Sequence, residues 1–302
     1  MMQKIIPHVW FDSEAEEAAT FYASLFPGSE RGRVTRYGKE GFEQHGQPEG
    51  KVMTAEFALA GYEFIALNGG PIFKLNPSIS FFVVCESEEE VNRLWESLSE
   101  KGKILMPINQ YPWSPRYGWL QDRYGLSWQL SLGKLEDVGQ KITPSLMYVG
   151  KQAGRAEEAL QLYTSIFKNS KIDGISRYTG QEGPDKEGTV NHAQFSLDGE
   201  KMMVMDSAMD HPFGFNEALS LLINCRSQEE VDYFWEKLSE GGTEGPCGWL
   251  QDKFGVSWQV SPARLIEMLQ DPDPKKVGRV TNAFMKMKKL DIAQLEEAFA
   301  GR

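Results

Sequence analysis

The stretch GWLQDRYGLSWQL at 118–130 returns almost unchanged as GWLQDKFGVSWQV at 248–260. In each copy an aspartate, Asp122 or Asp252, starts a turn, and a glycine, Gly125 or Gly255, stands where a positive φ is needed. That is the pattern of a hairpin with a bulged turn. Along its second strand Leu126, Trp128 and Leu130 share one face, and Ser127 and Gln129 share the other. The tryptophan reads as core beneath helices, and the glutamine points into whatever the sheet curves around.

The repeat runs well beyond the hairpin. AEEAATFYASLF (15–26) matches AEEALQLYTSIF (156–167), and TRYGK at 35 is echoed by SRYTG at 176. AEFALAG (55–61) matches AQFSLDG (193–199), and EEVNRLWESLSEKG (89–102) matches EEVDYFWEKLSEGG (229–242), all in the same order. A period of about 140 residues is too long for a solenoid unit and indicates a duplicated domain. The expected division is 1–132, a linker GKLEDVGQK at 133–141, a second domain at 142–262, and an arm at 263–302 without counterpart in the first copy.

Each copy reads as strand, helix and three strands, twice. Residues 5–11 form a strand, and 14–26 a helix whose Ala18, Phe21, Tyr22 and Leu25 recur at helical spacing. Asp12 or Ser13 is placed to cap it, and Pro27-Gly28 ends it. Strands follow near 33–37, 51–59 and 62–67; in the second of these, Thr54, Glu56 and Ala58 alternate with Ala55, Phe57 and Leu59. SISFFVVC, a helix at 87–101 and the strands within 103–130 complete the copy.

With 302 residues, 41% of them hydrophobic, the chain has material for two cores. Its 32 Lys and Arg against 43 Asp and Glu give a net charge of −11, which repels a phosphate backbone and argues against nucleic acid as a partner. Nowhere do 18 uncharged apolar residues run together, so the expectation is a soluble cytoplasmic protein with no membrane partner. Cys85 and Cys225 end matching apolar runs and read as buried thiols. Cys247 is the loop-borne one, with no His or basic residue nearby in sequence to lower its pKa.

The paired units, AEEAATFY on the first helix, the DRYGLSWQL ending and the tail DPDPKKVGRV…MKMKKLDIAQLEEA together resemble the PhnB-like branch of the vicinal oxygen chelate superfamily, which includes glyoxalase I, extradiol dioxygenases and bleomycin-resistance proteins. The resemblance covers residues 3–262. It implies an α+β fold of two tandem glyoxalase-like domains, each of two βαβββ modules forming a curved sheet, with the chain as a pseudo-dimer or as half of a homodimer. In metal-dependent relatives two His or Glu ligands come from each of two units. At the matching positions this chain offers Pro7 or His8, Pro144 or Ser145, Ser78–Ser80, Ala218–Ser220, Phe64–Leu67, Met202–Met205, Gln129 and Gln259. One or two donors of four imply no tight metal site and no metal cofactor. The branch often carries a methyltransferase label, yet no glycine-rich loop opening a helix is present to hold S-adenosylmethionine.

The candidate ligand-binding residues are His8, Trp10, Thr54 and Gln129, with Glu56, in the first domain, and Gln194 and Gln259, with His192, in the second. Glu56 and His192 are the candidate acid/base groups, against plainer readings as an ion-pair partner and a hydrogen-bonded structural histidine. Between helix and closing hairpin the first copy has KILMPINQYPWSPRYGW where the second has TEGPCGW. That longer stretch, with Tyr111, Trp113 and Tyr117, is expected either to overhang a cavity or to pack on the other domain. GLSWQ and GVSWQ lack the last glycine of a serine nucleophile elbow and precede a strand, which excludes a serine hydrolase. Two function classes remain: a metal-independent protein binding a small aromatic or amphiphilic molecule, and a glyoxalase-like lyase or isomerase. The arm is expected to form three short helices, with Val277, Val280, Phe284 and Met287 on one stripe and Asp291 as a cap.

Overall fold

A computed structural model describes residues 3–180 and 183–302. Four modules follow one another. The first comprises β1 (Ile5–Phe11), α1 (Ala15–Leu25), β2 (Glu30–Arg36), the one-turn α2 (Phe42–His45), β3 (Val52–Leu59) and β4 (Tyr62–Asn68). The second has β5 (Ile79–Cys85), α3 (Glu88–Ser99), β6 (Lys103–Tyr111), β7 (Ser114–Gln121) and β8 (Ser127–Leu132). After the one-turn α4 (Leu135–Val138) come β9 (Ile142–Tyr148), α5 (Ala156–Ile166), β10 (Lys171–Arg177), β11 (Val190–Leu197) and β12 (Glu200–Asp206). The fourth module holds β13 (Leu219–Cys225), α6 (Gln228–Ser239), β14 (Thr243–Glu244), β15 (Trp249–Gln251) and β16 (Ser257–Pro262), and the arm holds α7 (Ala263–Met268), α8 (Pro274–Phe284) and α9 (Ile292–Ala300).

These strands make two eight-stranded sheets, ordered β14-β15-β16-β13-β1-β4-β3-β2 and β10-β11-β12-β9-β5-β8-β7-β6. Each sheet therefore joins modules from different repeats, the first with the fourth and the second with the third, where the sequence reading had paired modules within a repeat. The seam is antiparallel: β1 runs beside β13 with His8 opposite Ser220, and β5 beside β9 with Ser80 opposite Ser145. The reason lies in the first strands. IIPHVWF, ISFFVVC, ITPSLMY and LSLLINC are buried almost throughout, so each needs hydrogen-bonded neighbours on both edges. Its own module supplies a parallel neighbour on one edge only, β4 for β1 and β16 for β13.

The repeated hairpin at 118–130 and 248–260 fastens the two sheets back to back. Oδ2 of Asp122 accepts hydrogen bonds from the Tyr22 hydroxyl on α1 (2.7 Å) and from Trp128 Nε1 (2.8 Å), while its Oδ1 accepts from the amides of Tyr124 (2.8 Å) and Leu126 (3.1 Å). Asp252 repeats the set with Tyr163 (2.6 Å), Trp258 (2.9 Å), Phe254 (2.9 Å) and Val256 (3.1 Å). A turn residue of one module thus holds a helix of another, and Trp128 and Trp258 lie fully buried in the shared core between the sheets. Burial pushes the Asp122 carboxyl up to about 6, against the pull of its four donors.

Local capping departs from the expectation at one helix. Neither Asp12 nor Ser13 caps α1; the Ala15 amide donates instead to Asn68 Oδ1 (2.8 Å), a side chain from β4. Asp291 caps α9 as read, accepting from the Gln294 amide (2.9 Å). The arm carries a small core of its own, Leu265, Met268, Val280, Leu290 and Leu295. It ties onto module four where that module's hairpin is short: the Cys247 amide donates to Met287 O and the Gly248 amide to Lys288 O, both at 2.7 Å. Among the described residues no helix is long and apolar enough to cross a membrane.

Candidate functional site

In the first sheet β1 buries Ile5, Val9 and Phe11 against the helices, which turns Ile6, His8 and Trp10 onto the concave face. His8 stands in register with Ile65 on β4 and with Ser220 on β13. Gln259 Nε2 donates to Ser220 Oγ (2.9 Å), and Trp249 sets its ring edge-on to both His8 (6.0 Å) and Trp10 (6.4 Å). Trp10 Nε1 is held by Gly70 O at 2.7 Å. The His8 side chain is buried, and its Nδ1 makes no hydrogen bond. Loss of water disfavours the imidazolium and lowers the pKa to about 4, so the ring is neutral at physiological pH.

The concave face of the second sheet is more fully satisfied. Gln129 accepts from the Tyr117 hydroxyl and donates to Ser80 Oγ, both at 2.7 Å. Gln194 Nε2 donates to the Val138 carbonyl of α4 (3.2 Å). His192 is exposed, although surrounding groups still hold its pKa below the usual value by desolvation.

The sequence grouping of site residues is therefore corrected. His8, Trp10, Thr54 and Glu56 share their sheet with Gln259, whereas His192 and Gln194 share theirs with Gln129. Glu56 and His192, the two alternative acid/base candidates, lie on different sheets. Glu56 is not an isolated buried carboxylate: it is partly exposed and ion-paired to Arg33, and Thr54 spends its hydroxyl on Thr35 (2.6 Å). Trp113 sits 61% exposed at the tip of the β6–β7 hairpin, stacked on Tyr111 at 5.1 Å. That hairpin extends the edge of the second sheet and does not roof the first.

A cavity of about 380 Å³ opens on the concave side of the first sheet. Ile6, Ala58 and Ile65 form its apolar floor, Arg33, Glu56 and Asn224 its polar wall, and Ala263 and Ile266 of α7 one side. Two buried atoms of that wall, Arg33 Nε and Asn224 Oδ1, have no hydrogen-bond partner among the described residues. Asn224 is only 2% exposed, and its amide nitrogen donates to Gln3 O (2.9 Å), which fixes the oxygen's orientation. Sequence reasoning passed over both residues. Asn224 did leave a signal, an amide in the apolar run SLLINC where the first copy has Val84.

A divalent metal does not fit the positions the resemblance implied. On the first sheet they bring together His8, Ile65, Ser220 and Gln259; on the second, Ser145, Met203, Ser80 and Gln129. One imidazole and neutral oxygens give such a cation little charge compensation. Among the described residues no three His, Cys, Asp or Glu side chains converge.

Over residues 3–131 and again over 140–261 the sequence matches the family described as 3-demethylubiquinone-9 3-methyltransferase. The chain belongs to that family, in two tandem copies. Among solved structures, the PhnB protein of Bacillus cereus is 41% identical over 43% of this chain and 100% of its own, with a TM-score of 0.40. Glyoxalase I of Zea mays is 11% identical over 84% of this chain and 92% of its own, with a TM-score of 0.52, which shows a shared fold. No curated protein matches. This PhnB-like chain thus has the vicinal oxygen chelate architecture, with both curved sheets contained in one polypeptide.

Proposed function

We propose that this PhnB-like protein is a metal-independent small-molecule-binding protein whose ligand occupies the first sheet's cavity beside α7. The observation that carries the reading is the pair of buried, unpartnered atoms, Arg33 Nε and Asn224 Oδ1, in the wall of a recess floored by Ile6, Ala58 and Ile65. A buried polar group without a partner costs about 1–3 kcal/mol, and a ligand offering one acceptor and one donor recovers that cost on binding. A cavity of this volume lies within the range that encloses a small organic molecule.

The family description's methyl transfer is no part of this reading. All four module helices begin on amides already bonded: α1 to Asn68, α5 to Asp206, α3 to Ser87 and α6 to Ser227. One first-turn amide of each is thereby taken by the protein's own side chains, which weakens these helix starts as anion sites for a cofactor. Mass spectrometry of protein purified without chelator is expected to find an organic molecule that an Ala58→Phe variant does not retain. Elemental analysis of the same material is the counter-test: a stoichiometric divalent metal would shift the assignment to a lyase or isomerase.

A further inference from the structure

The two concave faces carry side chains of opposite sign at two matching positions. Around the first sheet's cavity stand Glu30, Glu56, Glu63 and Glu267 against one lining cation, Arg33. Arg33 cancels Glu56, and Glu267 shares Arg264 with Glu296. Glu30 and Glu63 form no ion pair among the described residues, and Glu63 is pushed upward by burial and by the charge of Glu56. On the second sheet the aligned residues are Lys171 for Glu30 and Lys201 for Glu63, with Gln194 for Glu56, Val84 for Asn224 and Gly174 for Arg33. Duplication has left the first face with unpaired acids beside Arg33 and Asn224, and the second with two lysines that share Asp173 and with no counterpart of those two polar side chains.

Acidic residues alone would make only a solvated face. Here they rim a recess with an apolar floor, and the 2% exposed Asn224 stands in its wall with an acceptor that has no partner among the described residues. We propose that the cavity selects an organic cation: an ammonium or amidinium group on an apolar body, whose N–H donates to Asn224 Oδ1, with a neighbouring carbonyl or hydroxyl accepting from Arg33 Nε. The carboxylates attract the charge from a distance, and Ile6, Ala58, Ile65 and Ile266 take the apolar body. This assignment rests on the binding-protein reading above and adds the ligand's charge to it.

Three indole probes of similar size and different charge decide the matter by isothermal titration: tryptamine, tryptophol and indole-3-acetate. Tryptamine is expected to bind about tenfold more tightly than tryptophol, with indole-3-acetate weakest and the preference shrinking in 0.5 M NaCl. A Glu30→Gln/Glu63→Gln double variant should bring tryptamine down to the level of tryptophol and leave tryptophol unchanged. Equal binding of the three, or preference for the acetate, overturns the cationic class while the cavity remains a binding site. Binding of none at millimolar concentration ends both readings. So does binding that survives Ala58→Phe and Ile266→Trp alike; the second substitution lies on the arm, outside the sheets, and keeps the test open should the first fail to fold.

Discussion

At the scale of single residues, the two buried titratable groups with the clearest roles move stability in opposite directions with pH. His8 has a folded pKa of about 4 against 6.5 for a free imidazole, so between those values the unfolded chain binds the extra proton. Its neutral burial favours the fold above pH 6.5, and this advantage is lost as the pH falls toward 4, by up to about 3 kcal/mol. A His8→Gln variant should lose less stability than the parent between pH 7 and pH 4.5 in urea titrations. An equal loss would show that His8 is not the group responsible. Asp122 is raised to about 6, so its proton is held more tightly by the native state, and its contribution weakens as the pH rises from about 4 to 6. Asp122→Asn presents an NH2 group where Tyr22 and Trp128 both donate. It is expected to cost roughly 2–4 kcal/mol, read as a fall in the urea midpoint at pH 7 with little change in slope.

Among the elements, the arm and the two hairpins show what periodicity could and could not convey. The faces of the strands were legible: the alternation through LSWQL placed Trp128 in the core and Gln129 on the concave side, as found. Edge partners were not legible, because a pattern of period two specifies which way a side chain points and says nothing of which strand lies alongside. Arg33 was hidden for a related reason, since β2 slips register between Arg31 and Val34 and a bulged strand breaks the alternation from which a face is read. The arm's three helices were visible in the sequence, but its docking on the short β14–β15 hairpin depends on backbone groups that carry no side-chain signature. That docking is testable. A chain ending at Gln270 keeps α7 and loses the partners of Cys247 and Gly248, so those two amides should exchange with deuterium at least about tenfold faster while the Trp128 and Trp258 amides stay protected. Unchanged exchange at 247 and 248 would mean that the arm does not hold the hairpin.

At the scale of the whole molecule, the repeats and the sheets partition the chain in different ways, and that crossing makes it one cooperative body. Each repeat is bound internally through Asp122 or Asp252, side chain to side chain, while each sheet is bound between repeats through β1–β13 and β5–β9, backbone to backbone. Glu200 on β12 adds a further tie, accepting from the amides of Lys4 and Ile5 at the start of β1. Burial raises its pKa to about 7, so this carboxylate is desolvated at the very seam between the halves. A cut in the 133–141 linker breaks none of these contacts. Chain nicked there by a protease site placed in the linker should elute as the intact protein in size-exclusion chromatography and separate into two fragments only in denaturant. Either half expressed alone exposes a buried seam strand, IIPHVWF with ISFFVVC or ITPSLMY with LSLLINC, and is expected to self-associate or aggregate, as an uncovered apolar edge does. Because Glu200 is held more easily in its protonated form, the two halves should recombine more tightly at pH 6 than at pH 8, and Glu200→Gln should remove that difference. Halves that remain folded, monomeric and indifferent to each other would show that the repeat, and not the sheet, is the folding unit.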